Sequence, residues 1–435
     1  MRYLLALVLL VAGQALAGPQ IQHWVAPTGA KVYFVESRGL PILDVQIDFV
    51  AGAARSPAGP ATGEADKAGV ASLTAALIEA GTPRLNEEQI SARLVDLGAK
   101  LSSGSDHDRA SVTLRTLSTP EEKAGALALL RAVLSTPTFP EAVVNREKTR
   151  SIEALRDAET RPDSLVARRF AQAIYAGHPY GRLATPASVA RISRDDLVTF
   201  HRTFYVAHGA VVSIIGDVSR AEAEAIAAGL TEALPQGAAP PPLPPVALPK
   251  GGTIKVPHPA SQSHIRVGLP AIPREDSPDH FALLVGNYIL GGGGFVSRLM
   301  KEVREKRGFA YSVYSAFSPR VLPGPFEIGL QTKREQSAAA LKVVDEVLAG
   351  LLAEGPSAQE LAAAKKNLID GQALRIDSNA KLLAHLSLIG FHGLPTDYLD
   401  RFPQRVAAVT REDVRNALRR YIKPEHLVTV IVAAD

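Results

Sequence analysis

Residues 192–214 recur without a gap at residues 409–431, 217 positions further on. In the first copy Ile192, Asp196 and Leu197 lead through Phe204 to Val211, Val212 and Ile214. In the second, Val409, Asp413 and Val414 lead through Tyr421 to Val428, Thr429 and Ile431. An earlier block, 124–134, returns at 338–348, 214 positions on. Two blocks in one order at nearly one offset indicate a duplicated domain, so the fold of one half is the fold of the other. Between the copies lies PQGAAPPPLPPVALPKGG, residues 235–252. Proline at that density keeps a chain extended and semi-rigid. The expected organisation is a first domain over 18–234, a linker over 235–252 and a second domain over 253–435.

Within each half the hydrophobic period changes. Residues 45–50, 111–114 and 265–269 alternate as half-buried strands do. Residues 69–79, 88–97, 195–204 and 337–352 carry the helical period, and Gly81 and Gly98 follow the first two. Thr119-Pro120-Glu121-Glu122 reads as a helix start with a Thr cap, proline at the first position and acids in the first turn. The irregular order of strands and helices predicts an α+β fold rather than strict βα units.

The first residues read as a leader. Arg2 gives a short positive region, residues 3–12 are apolar, and Ala15 and Ala17 have the spacing of a signal-peptidase site. Ten apolar residues are too few to span a bilayer. The expectation is cleavage near Ala17 and export to the periplasm, with no membrane span later in the chain. Zero cysteines exclude disulfides, thiolate nucleophiles, iron–sulfur clusters and a lipoprotein anchor. With 48 basic against 44 acidic residues the net charge is only +4, which gives no ground for a nucleic-acid partner.

His178-Pro179-Tyr180-Gly181 followed by residues 192–217, and Gly292-Gly293-Gly294-Phe295 followed by residues 302–308, resemble the M16 metallopeptidases. That family includes pitrilysin, insulin-degrading enzyme and the mitochondrial processing peptidase, and the likeness is strongest to the short bacterial M16B type. The resemblance runs in order along both halves. It implies two LuxS/metallohydrolase-like domains, each a largely antiparallel sheet flanked by helices. In active members a helix of the first domain carries His-x-x-Glu-His, whose two imidazoles hold zinc while the Glu polarises a water. Here the two ligand positions fall on Ser72 and Ala76 and the base position on Ala75. With Val70, Leu73, Leu77 and Ile78 as the buried stripe, these three small residues are expected on the opposite face. The third ligand falls on Ala154 by the motif or on Glu153 by straight counting. Neither His201 with His208 nor His385 with His392 offers a replacement, and Asp106-His107-Asp108 reads as structure or surface. No metal is therefore expected on this chain.

The second half keeps the family's other motif. Arg304 and Tyr311 have the spacing of the Arg/Tyr pair that, in the family, bonds the substrate backbone and the tetrahedral intermediate. Residues 302–307 read as the end of a helix stopped by Gly308, and 309–317 as a strand. The run Gly291, Gly292, Gly293, Gly294 reads as a flexible turn between two helices, or as a substrate loop. A phosphate-binding loop is excluded because no Gly-Lys-Ser/Thr follows. The resemblance implies a non-catalytic subunit that pairs with a His-x-x-Glu-His chain holding the zinc and binds unstructured peptides. The alternative is a metal-free peptide-binding or assembly protein, as the M16-like core subunits of the bc1 complex are.

Overall fold

The computed structural model describes residues 20–57 and 66–433. The leader read at 1–17 lies outside the described residues. The first half builds a six-stranded sheet from β1 (Gln22–Val25), β2 (Lys31–Glu36), β3 (Ile42–Phe49), β4 (Lys100–Ser105), β5 (Ala110–Leu117) and β6 (Val211–Gly216), in the order β1-β2-β6-β3-β5-β4. The second half builds five strands: β7 (Gly252–Val256), β8 (Gln262–Ile272), β9 (Ala310–Phe317), β10 (Gly324–Lys333) and β11 (Val428–Val432). Their order is β7-β11-β8-β10-β9, the same path once β1 is set aside. In each sheet one neighbouring pair is parallel, β2 with β6 and β7 with β11, and all other pairs are antiparallel. This is the duplicated, largely antiparallel α+β architecture that the repeat predicts.

Fourteen α-helices accompany the sheets among the described residues. In the first half they are α1 (Val70–Ala76), α2 (Glu87–Asp96), α3 (Pro120–Ser135), α4 (Glu141–Thr160), α5 (Pro162–Ile174), α6 (Pro186–Ala190), α7 (Arg194–Phe204) and α8 (Arg220–Thr231). In the second they are α9 (Pro278–Asn287), α10 (Ser337–Glu354), α11 (Ala358–Asp370), α12 (Asn379–His392), α13 (Tyr398–Ala408) and α14 (Arg411–Tyr421). The repeated block places α7 and α14 in equivalent positions, each opened by a reciprocal cap: Ser193 with Asp196, and Thr410 with Asp413. Helix α3 starts at Pro120 as expected. However, the Thr119 hydroxyl bonds the Glu122 carboxylate instead of accepting a backbone N–H.

The helices α5 and α12, 217 residues apart, each leave their own half. Helix α5 packs on β8 and β11 of the second sheet, and α12 packs on β6, β3 and β2 of the first. Alternation explains why the sheets accept them. In β11, Val428, Val430 and Val432 face Val166, Phe170 and Ile174 of α5, leaving Ile431 for the other face. In β6, Val211 and Ile215 join Leu382, Leu386 and Ile389 of α12, while Val212 and Ile214 enter the first half's own core. The crossing of α12 is close: a Cβ on Gly390 would lie 2.5 Å from Val211 Cγ1 and 2.7 Å from the Tyr33 ring.

The proline segment is strapped across this junction rather than free. His178 Nε2 meets the Pro244 carbonyl at 2.9 Å, His426 Nδ1 meets that of Pro249 at 2.7 Å, and Leu243 and Val246 pack beside Phe170 and Val428. Its last expected residue, Gly252, already belongs to β7.

Since each half buries a helix of the other, the two halves form one cooperative unit. A single unfolding transition is expected by calorimetry and by urea. Gly390→Leu, which overfills the α12 crossing, is expected to lower the whole transition by about 1–3 kcal/mol. Two separable transitions, one of them unmoved by Gly390→Leu, would show that the exchange does not couple the halves.

Candidate functional site

Helix α1 carries the residues on which the resemblance places the zinc motif, and it departs from the expectation in two respects. Val70, Leu73, Leu77 and Ile78 are buried as predicted, and Ser72 and Ala76 are exposed. Ala75, expected on the outer face with them, is 1% exposed and lies in the core. The helix is also shorter than 69–79: it ends at Ala76, and Leu77 turns away from helical geometry. With only seven residues between strand and helix layers, it buries more than one stripe.

At the first ligand position, Ser72 Oγ meets Ser105 Oγ of β4 at 3.3 Å. The second position is a methyl group. Beside it runs a cleft of about 480 Å³ lined by Ala76, Glu79, Glu147 and Arg150 among others. Its carboxylates are already engaged. Burial raises the Glu79 carboxyl against a hydrogen bond from Ser103, and Glu147 accepts from Arg146 at 3.0 Å and Arg150 at 3.4 Å. Glu153 and Ala154, the two readings of the third ligand, are both exposed on α4. Two hydroxyls and a methyl do not fit a zinc ion that needs imidazole or carboxylate donors. Among the described residues no three His, Asp or Glu side chains are grouped to hold a metal.

The histidines have other duties. His201 is 3% exposed with Nε2 2.8 Å from the Leu134 carbonyl, and burial holds it down at about 4. Burial likewise takes His392 to about 4, helped by Arg274 and Arg109. Asp106-His107-Asp108 is a structural fastening. Asp106 Oδ1 accepts the N–H groups of Asp108 and Arg109 at 2.8 and 2.9 Å. Asp108 accepts the Tyr180 hydroxyl and, at 3.0 Å, the Val321 N–H of the other half. Burial raises the Asp108 carboxyl and lowers His107 to about 4.

The Arg304 and Tyr311 site is built by irregular backbone. Helix α9 ends at Asn287, short of the glycine run. The chain then winds on as a wide turn through Gly292, with Gly293 N–H donating to Tyr288 C=O at 2.9 Å, five residues back. A second wide turn spans Met300–Glu305 with Lys306 N–H to Lys301 C=O at 3.0 Å, and it carries Arg304. Such turns are uncommon and concentrate at functional sites. Gly308, at φ +63°, ends it as predicted. On β9, Ala310 pairs with Thr332 and Val313 with Leu330, so Tyr311 and Ser312 together face Gln331. This bulge breaks the expected alternation and re-aims Tyr311.

Tyr311 is 85% exposed, and its ring centroid lies 5.0 Å from the Arg304 guanidinium carbon. Phe295 approaches the same carbon at 4.8 Å. Glu302 is taken by Lys306 and Arg307. Among the described residues the Arg304 guanidinium makes no ion pair or side-chain hydrogen bond. Held by ring faces, it keeps its in-plane N–H donors free for a carbonyl or oxyanion. The structure thus brings the predicted pair together. Phe295 was missed, although a bulky apolar residue directly after a glycine run was its signal.

Residues 57–186 match the family description "Insulinase (Peptidase family M16)", and residues 191–368 match "Peptidase M16 inactive domain". A crystal structure of a peptidase M16 inactive domain from Pseudomonas fluorescens superposes with a TM-score of 0.90 at 37% identity, covering 95% of this chain and 98% of that one. This chain belongs to peptidase family M16. It is also 25% identical over 408 residues to the "Non-peptidase homolog YmxG" of Helicobacter pylori, covering 92% of this chain and 91% of the relative. The fold alone is shared with the periplasmic protease PqqL of Escherichia coli, at TM-score 0.78 and 18% identity. That match covers 97% of this chain but 46% of PqqL.

The neutral, buried histidines of this M16 chain set an acid limit. His107, His201 and His392, depressed from about 6.5 to about 4, stay neutral in the fold while the unfolded chain takes up protons. Their contribution is fully present above pH ~6.5 and is lost as pH falls toward ~4. Urea midpoints are expected to drop steadily over that window. His201→Gln, which can still donate to the Leu134 carbonyl, is expected to flatten the slope.

Proposed function

We propose that this chain is the non-catalytic, peptide-binding subunit of a two-chain M16 zinc peptidase, exported to the periplasm by the leader read at 1–17. The observation that carries the reading is the contrast between the halves. The zinc helix presents Ser72 and Ala76, with Ala75 buried, whereas Arg304 stands beside Tyr311 with its donors unengaged. A pure scaffold has no use for an unpaired guanidinium beside an exposed phenol. A transferred acyl centre, with negative charge developing on its oxygen, does.

The zinc and its activated water would come from a His-x-x-Glu-His partner chain. The PqqL comparison supports this division of labour, since this chain answers to 46% of that polypeptide and leaves room there for a second unit of similar size. The peptide would be held in extended form. Strand β9, which carries Tyr311, is the outer strand of the second sheet, so its unpaired backbone can take a further strand. The Arg304 fork then reaches a backbone carbonyl, a geometry an ammonium cannot copy.

The purified chain alone is expected to hold no stoichiometric zinc by elemental analysis and to cleave no peptide. Co-expressed with a His-x-x-Glu-His paralogue from its own genome, it is expected to form a complex near 1:1 that cleaves a quenched fluorescent peptide. In that complex Tyr311→Phe and Arg304→Ala should leave assembly and zinc intact and lower kcat about 10²–10³-fold each. Arg304→Lys is expected to rescue only in part. Full activity in both variants would make the pair structural and the chain a scaffold.

A further inference from the structure

Large hydrophobic side chains left exposed are few among the described residues, and three of them gather around Arg304: Phe295 at 64%, Val296 at 56% and Tyr311 at 85%. The backbone puts two of them there at some cost. Gly291 is buried, and a Cβ on it would lie 2.3 Å from the Ser315 N–H nitrogen of β9. The wide turn is therefore pressed flat against the strand. Ser315 Oγ fixes it by donating to Asn287 Oδ1 at 2.7 Å. Gly294, at φ +60°, reverses the chain, and Ser297 Oγ closes the next turn on the Gly294 carbonyl at 2.7 Å. The glycine run is thus a rigid mount that throws Phe295 and Val296 outward.

We propose that Phe295 and Val296 form an apolar subsite beside Arg304, which takes a large aliphatic or aromatic side chain of the bound peptide. The proposal rests on the peptide-binding reading above and adds its specificity. The geometry commits to one occupant. The Arg304 guanidinium carbon lies over the Phe295 and Tyr311 rings, and with no ion pair or side-chain hydrogen bond among the described residues its N–H donors call for a hydrogen-bond acceptor such as a peptide carbonyl. The residue carrying that carbonyl, or its neighbour, then lies against Phe295 and Val296. These carry no charge and offer only surface that gains by leaving water. A polar side chain at that position gains nothing from them. Phe295 is in this sense a specificity-determining residue, and its contact with Arg304 also positions the donor fork.

The test uses two fluorescent peptides that differ at one residue, leucine against serine. Binding to the full chain is read by anisotropy, and cleavage is read with the His-x-x-Glu-His complex. The wild type is expected to prefer the leucine peptide. Phe295→Ala is expected to erase about tenfold of that preference, read as the ratio of the two peptides in the same variant, as loss of an apolar contact does. Phe295→Leu is expected to keep most of it. Arg304→Ala is expected to weaken both peptides alike. A wild-type chain that binds the two peptides equally overturns the subsite, as does a Phe295→Ala chain whose ratio is unchanged. Loss of assembly with an intact binding ratio in Phe295→Ala also overturns it, because that face would then be a subunit contact. Failure to form any complex, with leucine-selective binding retained, sinks the peptidase-subunit reading and leaves the subsite standing.

Discussion

The exchange of α5 and α12 sets the frame on which everything else hangs. Each helix covers the sheet of the opposite half, so neither sheet has a complete core without the other. Around the crossing the chain adds polar fastenings. Tyr180, fully buried, donates to Asp108 and accepts the Leu322 N–H at 3.2 Å, while Tyr175 donates to the Pro323 carbonyl at 2.9 Å. The Arg320 guanidinium lies over both rings, at 4.9 Å from Tyr180 and 5.4 Å from Tyr175. Burial raises both phenols, so they stay protonated donors over the range where the fold is stable. A binding site mounted on this frame gains from its rigidity. Its preorganised donors contribute only if they are held in place before the reaction begins.

Duplication preserved the path of the chain but not the chemistry at equivalent contacts. Where α5 meets β8, Phe170 presses on Gly268, whose Cβ would come within 2.9 Å of the ring. Where α12 meets β3, Ser387 stands in place of the aromatic and donates to Asp48 at 2.6 Å. Gln46 and Arg109 in turn donate to the Ser387 hydroxyl at 2.8 and 2.7 Å. One junction is apolar, and the other is a satisfied buried polar network that tolerates no missing member. Such networks fix one register of packing, a role consistent with two halves that must not slide.

What could be read from the residues follows the range of the forces involved. The duplication, the strands 45–50 and 265–269 and the helix 337–352 are legible because period and capping are local. The convergence of Arg304 with Tyr311 was reachable through the motif and through Gly308. The destination of α5 and α12 was not legible, since an apolar stripe says that a helix is covered but not by which sheet. Nor was the burial of Ala75. A seven-residue helix pressed between layers loses the single-stripe pattern that longer helices show. The bulge at Tyr311 and the wide turn through Gly292 depend on register against β10 and β9, which no single segment encodes. His178-Pro179-Tyr180-Gly181 was visible as a marker of the family. Its physical task, holding the two halves together, emerges only when Asp108 and the 320–323 segment come beside it.

The divergence is confined in an instructive way. The positions on which the resemblance places the zinc ligands, Ser72 and Ala76, are exposed, while Val70, Leu73 and Thr74 of α1 stay in the core. The side chains at those two positions therefore matter little to the fold. The Arg304 site is different. Its two wide turns put Ile289, Leu290, Met300 and Val303 into the core of the second half, whereas Phe295, Val296 and Tyr311 stand exposed outside that core. Exposed apolar surface is a feature that a domain kept only for its shape would be free to lose. The first half's candidate face is made of small exposed side chains with no packing duty, whereas the second half holds Phe295 and Tyr311 exposed beside Arg304, an arrangement that its own core does not require.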